Sequence, residues 1–341
     1  MIDEFQRLPE EYWDLLAVSR ARGGGRLILC GSSLGVVSKV FDQRSPLLGL
    51  FAPFKVDLAS PSDNVASLSR VVSPEDALKW AVVARDPWLL GLLDPSGNVT
   101  EALAEAAPLL VVSASGLIGE IFREEERALT QLYDAVLRLL ALGYWSSAAL
   151  AQKLHEAKLL PRPEASHVTG LLAQLAAMGL VERVRLWRTR GARVYYRHRS
   201  SLLSLLTALE ERGGEAGLKP PRETVSSLLG VESQFFVGEL LAEATGLERA
   251  YSISGSWDVD VVLVKGGKAV AGYEVKLGPF SSSEASRAVE RIRSLGIPKA
   301  GLVSLTEEPP PVADELYGPR DLVQLARRVS ERRRRAHGSI S

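Results

Sequence analysis

The sequence predicts a multidomain chain of mixed α/β and α+β class, and three observations predict it. Its 341 residues exceed what one hydrophobic core usually serves, so two or three domains are expected. The hydrophobic rhythm changes along the chain: residues 1–60 read as α/β, 73–122 as short helices, and 123–212 as three helices followed by two β-type runs. A Gly/Pro-rich stretch, GGEAGLKPPRE (213–223), then separates these from a segment of alternating strands and helices. The expected division is 1–72, 73–122, 123–212, a linker at 213–225, 226–320, and a basic tail at 321–341.

Composition narrows the classes. The chain is 46% hydrophobic and 24% charged, ordinary for a globular protein. Lys+Arg and Asp+Glu both number 41, so only local clusters can mark a nucleic-acid partner. Cys30 is the one cysteine, which excludes an internal disulfide, and no Cys/His cluster has zinc spacing. With no signal-peptide pattern and no apolar run of transmembrane length, the expected location is cytoplasmic, with no membrane partner.

In order, Glu10 to Val18 is helical, RGGGR (22–26) is a turn, RLILC (26–30) is a short strand, Ser45-Pro46 breaks the chain, and PFKVDLA (53–59) is a second strand. Ser73 with Pro74 marks a helix start, and DPSGN (94–98) a turn. EEERALTQLYDAVLRLLALG ends at Gly143, and SSAALAQKLHEAKL follows with Ser146 or Ser147 as its cap. After EASHVTGLLAQLAAMGL come VERVRLW and ARVYYRH around TRG (189–191). Three helices and a hairpin make a winged helix-turn-helix.

In that motif the helix from Ser166 to Met178 would be the recognition helix, with His167, Thr169 and Gln174 toward a groove. The hairpin carries Arg183, Arg185, Arg188, Arg190, Arg193, Arg197 and Arg199, which alternation splits between two faces. Arg188, Arg190 and Arg193 lie nearest the tip and are the phosphate candidates, with DNA as partner. The helix end is short of Arg and Asn, so base-specific readout is not expected. A solvated arginine face, or a protein-docking module, is the competing reading.

The last segment reads helix (226–245), strands (250–254, 258–264), a KGGK turn (265–268), strand (269–276), helix (282–295) and strand (299–305), then a tail with ERRRR (331–335) expected to be solvated or disordered. Its chemistry lies in SWDVDVVLVKGGKAVAGYEVKLG. Alternation puts Asp258 and Asp260 on one face of one strand, and Glu274 and Lys276 on one face of the next. A regular hairpin brings these four together, over apolar Val259, Val261, Tyr273 and Val275. Two carboxylates and a lysine are what metal-assisted phosphodiester hydrolysis needs: hard oxygen ligands for Mg²⁺, and a fixed positive charge for the developing phosphorane. Ser281 to Ser283 read as the cap of the following helix, where Arg287 and Arg291 could meet the scissile strand. The bland alternative is cross-strand ion pairing on a surface hairpin.

This constellation resembles the PD-(D/E)xK nuclease superfamily over residues 226–305, a restriction-endonuclease-like α/β domain. The resemblance implies that Asp260 and Glu274 bind Mg²⁺ or Mn²⁺ together with the Val275 carbonyl. It implies that Lys276 orients the water or steadies the transition state, and that Glu232, in VESQFFVGELL, is the helix acid completing the site. Glu239 is the alternative helix acid, and Asp258 is accessory.

Across nearly the whole chain, the order of elements resembles archaeal AAA-like ATPases that carry a winged helix and a further domain. MIDEFQ resembles the end of a Walker B strand, implying Asp3 for magnesium and Glu4 for water. LILCGSS resembles the sensor strand, implying Ser32 or Ser33 as the polar sensor. SPLLGLFAPFKVDLASP resembles the following loop and strand, and DPWLLGLLDPSGNVTEAL with IFREEE the helical lid. Two departures matter. LGLF (48–51) stands where family members tend to have an arginine, and GxxxxGK[ST], the P-loop that cradles ATP phosphates, is found in none of RGGGR, KGGK or LGVVSK. A truncated ATPase remnant is therefore expected, and ATP hydrolysis by this chain is not, whether the true start lies upstream or the truncation is natural. Such a remnant leaves strand RLILC at an exposed sheet edge, poorly covered or paired with another chain or a second copy.

The leading expectation is a DNA-associated protein with a metal-dependent nuclease-like domain. The alternatives are a non-catalytic DNA- or protein-binding regulatory protein, and an ATP-binding ATPase seen without its P-loop.

Overall fold

The computed structural model describes residues 1–5, 8–23, 26–31, 40, 42–54, 56–122, 127–187, 194–212, 218–252 and 258–338. The chain forms two compact units, Met1–Asp57 with Ser115–Leu132, and Leu58–Ala114 with Tyr133–Ser341.

In the first unit, helix α1 (Glu11–Ala21) carries Glu11 and Asp14 in its first turn and Arg20 in its last, in line with the helix dipole. Its Trp13 stacks on Phe5 with ring centroids 5.3 Å apart, in a small core with Val40 and Leu47. Ile2 pairs in parallel with Leu29 through Ile2 N–H to Ile28 O (2.9 Å) and Cys30 N–H to Ile2 O (2.9 Å). The strand expected at 26–30 is thus a single bridge, with Ile28 58% exposed. The strand expected over 53–59 does not form among its described residues, where Phe54 and Val56 are 89% and 84% exposed. Parallel strands are stable when both faces are covered, and these residues lack that cover.

The second unit opens with α2 (Pro61–Leu68) and α3 (Pro74–Val83), both begun by serine and proline. Ser60 Oγ accepts the Asp63 N–H (3.2 Å), and Ser73 Oγ accepts the Asp76 N–H (3.1 Å). One turn, α4 (Pro87–Leu90), precedes α5 (Val99–Ile121), a single 23-residue helix where short ones were expected, whose residues from Ser115 on belong to the first unit. By length and composition α5 could cross a bilayer, which corrects the expectation that no such apolar run exists. A core helix passes the same measure, and Leu103, Ala107, Leu110 and Ala114 of α5 are buried in the unit's main core.

Next come α6 (Arg127–Ala141), α7 (Ser147–Glu156), α8 (Ala165–Ala177), the hairpin β1 (Val181–Arg185) and β2 (Val194–His198), and α9 (Ser201–Arg212). Gly143, at φ 93°, takes the turn after α6, and Ser146 caps α7 by accepting the Ala149 N–H at 3.1 Å. The hairpin register sets Glu182 opposite Arg197.

The remaining elements are α10 (Arg222–Thr245), β3 (Glu248–Ser252), β4 (Val259–Lys265), β5 (Lys268–Lys276), α11 (Ser282–Ser294), β6 (Lys299–Ser304), β7 (Glu315–Tyr317) and α12 (Pro319–Gly338). The sheet runs β3-β4-β5-β6-β7, antiparallel through β5 and parallel from β5 to β7, with α11 as the β5–β6 crossover. Gly266 and Gly267, at φ 56° and 81°, take the tight turn after Lys265 that only residues tolerating positive φ form cheaply.

Each sheet face has its own core. Val261, Leu263, Ala271, Tyr273 and Val275 pack with α10 residues such as Phe236 and Leu240, and with Leu322 and Ala326 of α12. Val262, Val264, Ala300 and Leu302 pack with Ala285, Val289 and Ile292 of α11. Val259 joins this second core rather than the first, because the β3–β4 register shifts between Ala250 and Ser252. On the α10 face, a Cβ on Gly301 would lie 2.3 Å from the Tyr273 ring, so the ring can approach β6 this closely only because that residue is glycine.

The tail differs most from expectation. It is a 20-residue helix rather than a disordered segment, anchored by buried Leu322, Val323, Ala326 and Val329, while the ERRRR stretch (331–335) is solvated as expected. Its arginines hid an apolar stripe at helical spacing.

Candidate functional site

Extending the β4–β5 register past Val261–Tyr273 brings Asp260 opposite Glu274. Asp260 Oδ2 accepts the Val275 N–H at 2.8 Å, so a carboxylate takes over where the main-chain ladder ends. By alternation Glu274 and Lys276 share the face of Gly272, which is the α11 side, and Asp260 feels the charges of Glu274 and of Arg291 of α11 there. The acids and lysine are thus gathered at one end of the sheet, on β4 and β5, with exposed Asp258 two residues before Asp260.

Helix α11 supplies partners for these groups. Arg291 Nη2 donates to Glu274 Oε2 at 2.5 Å, while its buried Nε–H has no hydrogen-bond partner among the described residues. Lys276 Nζ lies 2.7 Å from Glu284 Oε1 and 5.2 Å from the centre of the Phe280 ring. Glu284 also closes a capping box with Ser281. The cap forecast at 281–283 is thus also the tether of the lysine. Arg287 bonds back to its own helix at Ser283 O (3.2 Å).

The charges are out of balance in a telling way. Burial, and then the neighbouring Glu274 charge, push the Asp260 carboxyl up to about 8, against the opposing Val275 N–H. Burial also raises Glu274, although Arg291 pulls it down, and burial raises Asp258 with Arg291 again opposing. Near neutral pH the acid pair therefore retains a proton that free carboxylates would have lost. Glu284, bonded to Lys276 and Ser281, is held down at about 2.

The two carboxylates of Asp260 and Glu274 suit a hard divalent cation, since Mg²⁺ is usually held by one or two carboxylates plus water and substrate. Among the described residues, no group of three or more His, Cys, Asp or Glu is close enough to hold a metal. The third acid expected here does not arrive. Glu232 belongs to α10, the helix on the other face of the sheet, and its carboxylate is bonded to Arg197 of the β hairpin. Glu239, the alternative, is held bidentately by Arg85 at 2.6 and 3.2 Å. Burial raises Glu239, but Arg249 and Arg85 outweigh it and leave the carboxyl below its usual range.

Those two glutamates belong to a chain of six charges that sequence reasoning missed. It runs Arg85–Glu239–Arg249–Glu182–Arg197–Glu232, alternating in sign. Arg249 Nη2 meets Glu182 at 2.6 Å, and Arg197 Nη1 meets it at 2.9 Å. Arg197, 5% exposed, also lies 3.9 Å over the Phe235 ring. Trp187 N–H bonds to Tyr251 O (2.9 Å), which stitches the hairpin to the outer strand of the sheet. The available signal was the hairpin register, which places Glu182 opposite Arg197.

The remaining expected site residues scatter. His167 and Thr169 are exposed on α8, where Thr169 Oγ1 bonds to Ser166 O (2.9 Å) and His167 lies 3.9 Å from Glu164. Arg183 is exposed, and Arg185 pairs with Glu248. Arg188, Arg190, Arg193, Ser32 and Ser33 lie outside the described residues. Asp3 accepts the Glu4 N–H at 3.0 Å, and Glu4 sits at φ 49°, uncommon for a residue with a side chain.

No family model, no curated protein and no solved structure matches this chain.

Proposed function

We propose that this is a DNA-associated protein whose C-terminal segment is a metal-dependent nuclease of the PD-(D/E)xK kind. The observation that carries the reading is the meeting of Asp260 and Glu274 on neighbouring strands at one end of the sheet, close enough for one carboxylate to raise the other. The element order helix, three antiparallel strands, helix, parallel strand supports it. Asp260 and Glu274 would hold Mg²⁺ or Mn²⁺, which would polarise the phosphate and acidify the attacking water. Lys276 would orient that water or steady the transition-state charge, with Asp258 as an accessory acid. Helices α6 to α8 with the hairpin, read as a winged helix, would bring DNA through His167, Thr169 and the arginines of the hairpin tip.

A second reading, a non-catalytic binding protein, is favoured by one fact: Glu232, Glu274 and Lys276 are all engaged in ion pairs. Cleavage of labelled single- and double-stranded DNA with Mg²⁺ or Mn²⁺ separates the two. The nuclease reading expects metal-dependent cutting that Asp260→Ala and Lys276→Ala each lower by about 100-fold or more. Cutting absent from the wild type, or unchanged in both variants, favours the second reading.

A further inference from the structure

We infer that α12 carries a second DNA-binding surface, a stripe of arginines that grips the duplex backbone without regard to sequence. It rests on the nucleic-acid part of the proposed function and not on its metal site. The last turns of α12 hold Arg327, Arg328, Arg332, Arg333, Arg334 and Arg335 against Glu331 alone, in a chain whose net charge is zero.

These arginines divide by role. Arg327 is spent on Ser69, with Nη2 2.8 Å from the Ser69 carbonyl and Nε 3.1 Å from its hydroxyl. Arg333 reaches Glu243 at 3.1 Å and Asp63 at 3.6 Å, and Arg334 also feels Asp63. Arg328, Arg332 and Arg335 differ. They stand at i, i+4 and i+7, on one helix face, and all three are exposed. Among the described residues none of the three has an acidic ion-pair partner, and Arg328 bonds only weakly to its own helix at Gln324 O (3.4 Å).

Charge complementarity selects the occupant. The stripe is about 10 Å long at 1.5 Å per residue. Duplex DNA offers one negative charge per roughly 1.7 Å of axis, so three guanidiniums find phosphates along that length. The arginine fork also matches phosphate oxygens. An anionic membrane suits the charge but not the helix. Surface-lying helices insert an apolar face, and the apolar residues of α12, Leu322, Val323, Ala326 and Val329, are buried in the protein's own core.

The test is fluorescence anisotropy of a labelled random-sequence duplex across a salt series. It compares the full-length wild type with Arg328→Gln/Arg332→Gln/Arg335→Gln and with the corresponding triple lysine variant. Each phosphate contact contributes about 0.9 to the slope of log affinity against log salt, so the glutamine variant should be shallower by roughly 2.7, with the lysine variant near wild type. Glutamine is close to arginine in helix propensity, and an unchanged thermal midpoint checks that the fold persists. A wild-type slope in the glutamine variant overturns the stripe while leaving DNA binding elsewhere intact. A wild type that ignores duplex, or prefers vesicles containing phosphatidylglycerol, overturns both the stripe and the DNA partner. Loss of cleavage alone speaks only to the Asp260 site.

Discussion

Replacing Arg197 with methionine is expected to destabilise the protein by about 3–5 kcal/mol, the cost of leaving buried carboxylates without their cation. Arg197 is 5% exposed and bonds to Glu182 and Glu232, whose side chains are 10% and 7% exposed. Burial opposes its charge, yet the two glutamates hold the guanidinium above its ordinary range. The loss is large because it strands the end of a chain of alternating charges, not because the pair itself adds that much. Pairing Arg197→Met with Glu232→Leu should therefore recover most of the loss, since an apolar pair of similar volume removes the unpaired charge. Urea unfolding of the two single variants and the double measures this. A single-variant loss below about 1 kcal/mol would show that water reaches the pair. The cycle also bears on function: recovered stability with undiminished cleavage in the double variant would remove Glu232 from the catalytic set.

The second large effect is the dependence of stability on pH. The Asp260 carboxyl rises from its ordinary 3.8 to about 8 in the folded protein. Below about pH 4 both the folded and unfolded forms carry the proton, and its contribution is fully present. As pH rises toward 8, the unfolded chain has released the proton while the folded chain still binds it, so stability falls, by up to about 1.4 kcal/mol per pH unit. Glu274 and Asp258 shift in the same direction and add to the trend. Urea midpoints at several pH values should fall from pH 5 to 8 in the wild type and fall less in Asp260→Asn. Parallel curves would mean that Asp260 is solvated and ordinary. This is the reverse of a salt-bridged carboxylate, and it marks a site short of positive charge.

The sequence and the structure agree where local chemistry decides. The period-2 run around KGGK, with glycines able to take positive φ, made the β4–β5 hairpin and hence the meeting of Asp260 and Glu274 legible. The Ser146 and Ser281 caps were legible for the same reason. The departures arise where distant residues decide. Arg197 sits in the same alternating pattern as exposed Arg183, and only docking against α10 turns it into a core residue. Glu232 reads as a helix acid until the helix's packing face is known. PFKVDLA has strand composition without a sheet to join. In α12 the density of arginines outweighed the i, i+3, i+4 and i+7 apolar positions Leu322, Leu325, Ala326 and Val329, which become visible only once a core is there to receive them.

The central claim is that Asp260 and Glu274 together hold a divalent metal. Titration calorimetry with Mn²⁺ near pH 7, run in two buffers of different ionisation enthalpy, tests it most directly. One Mn²⁺ should bind with release of the proton that the acid pair retains, and binding should vanish in Asp260→Asn and Glu274→Gln. A wild type that binds no Mn²⁺, or binding that survives both substitutions, would contradict the account.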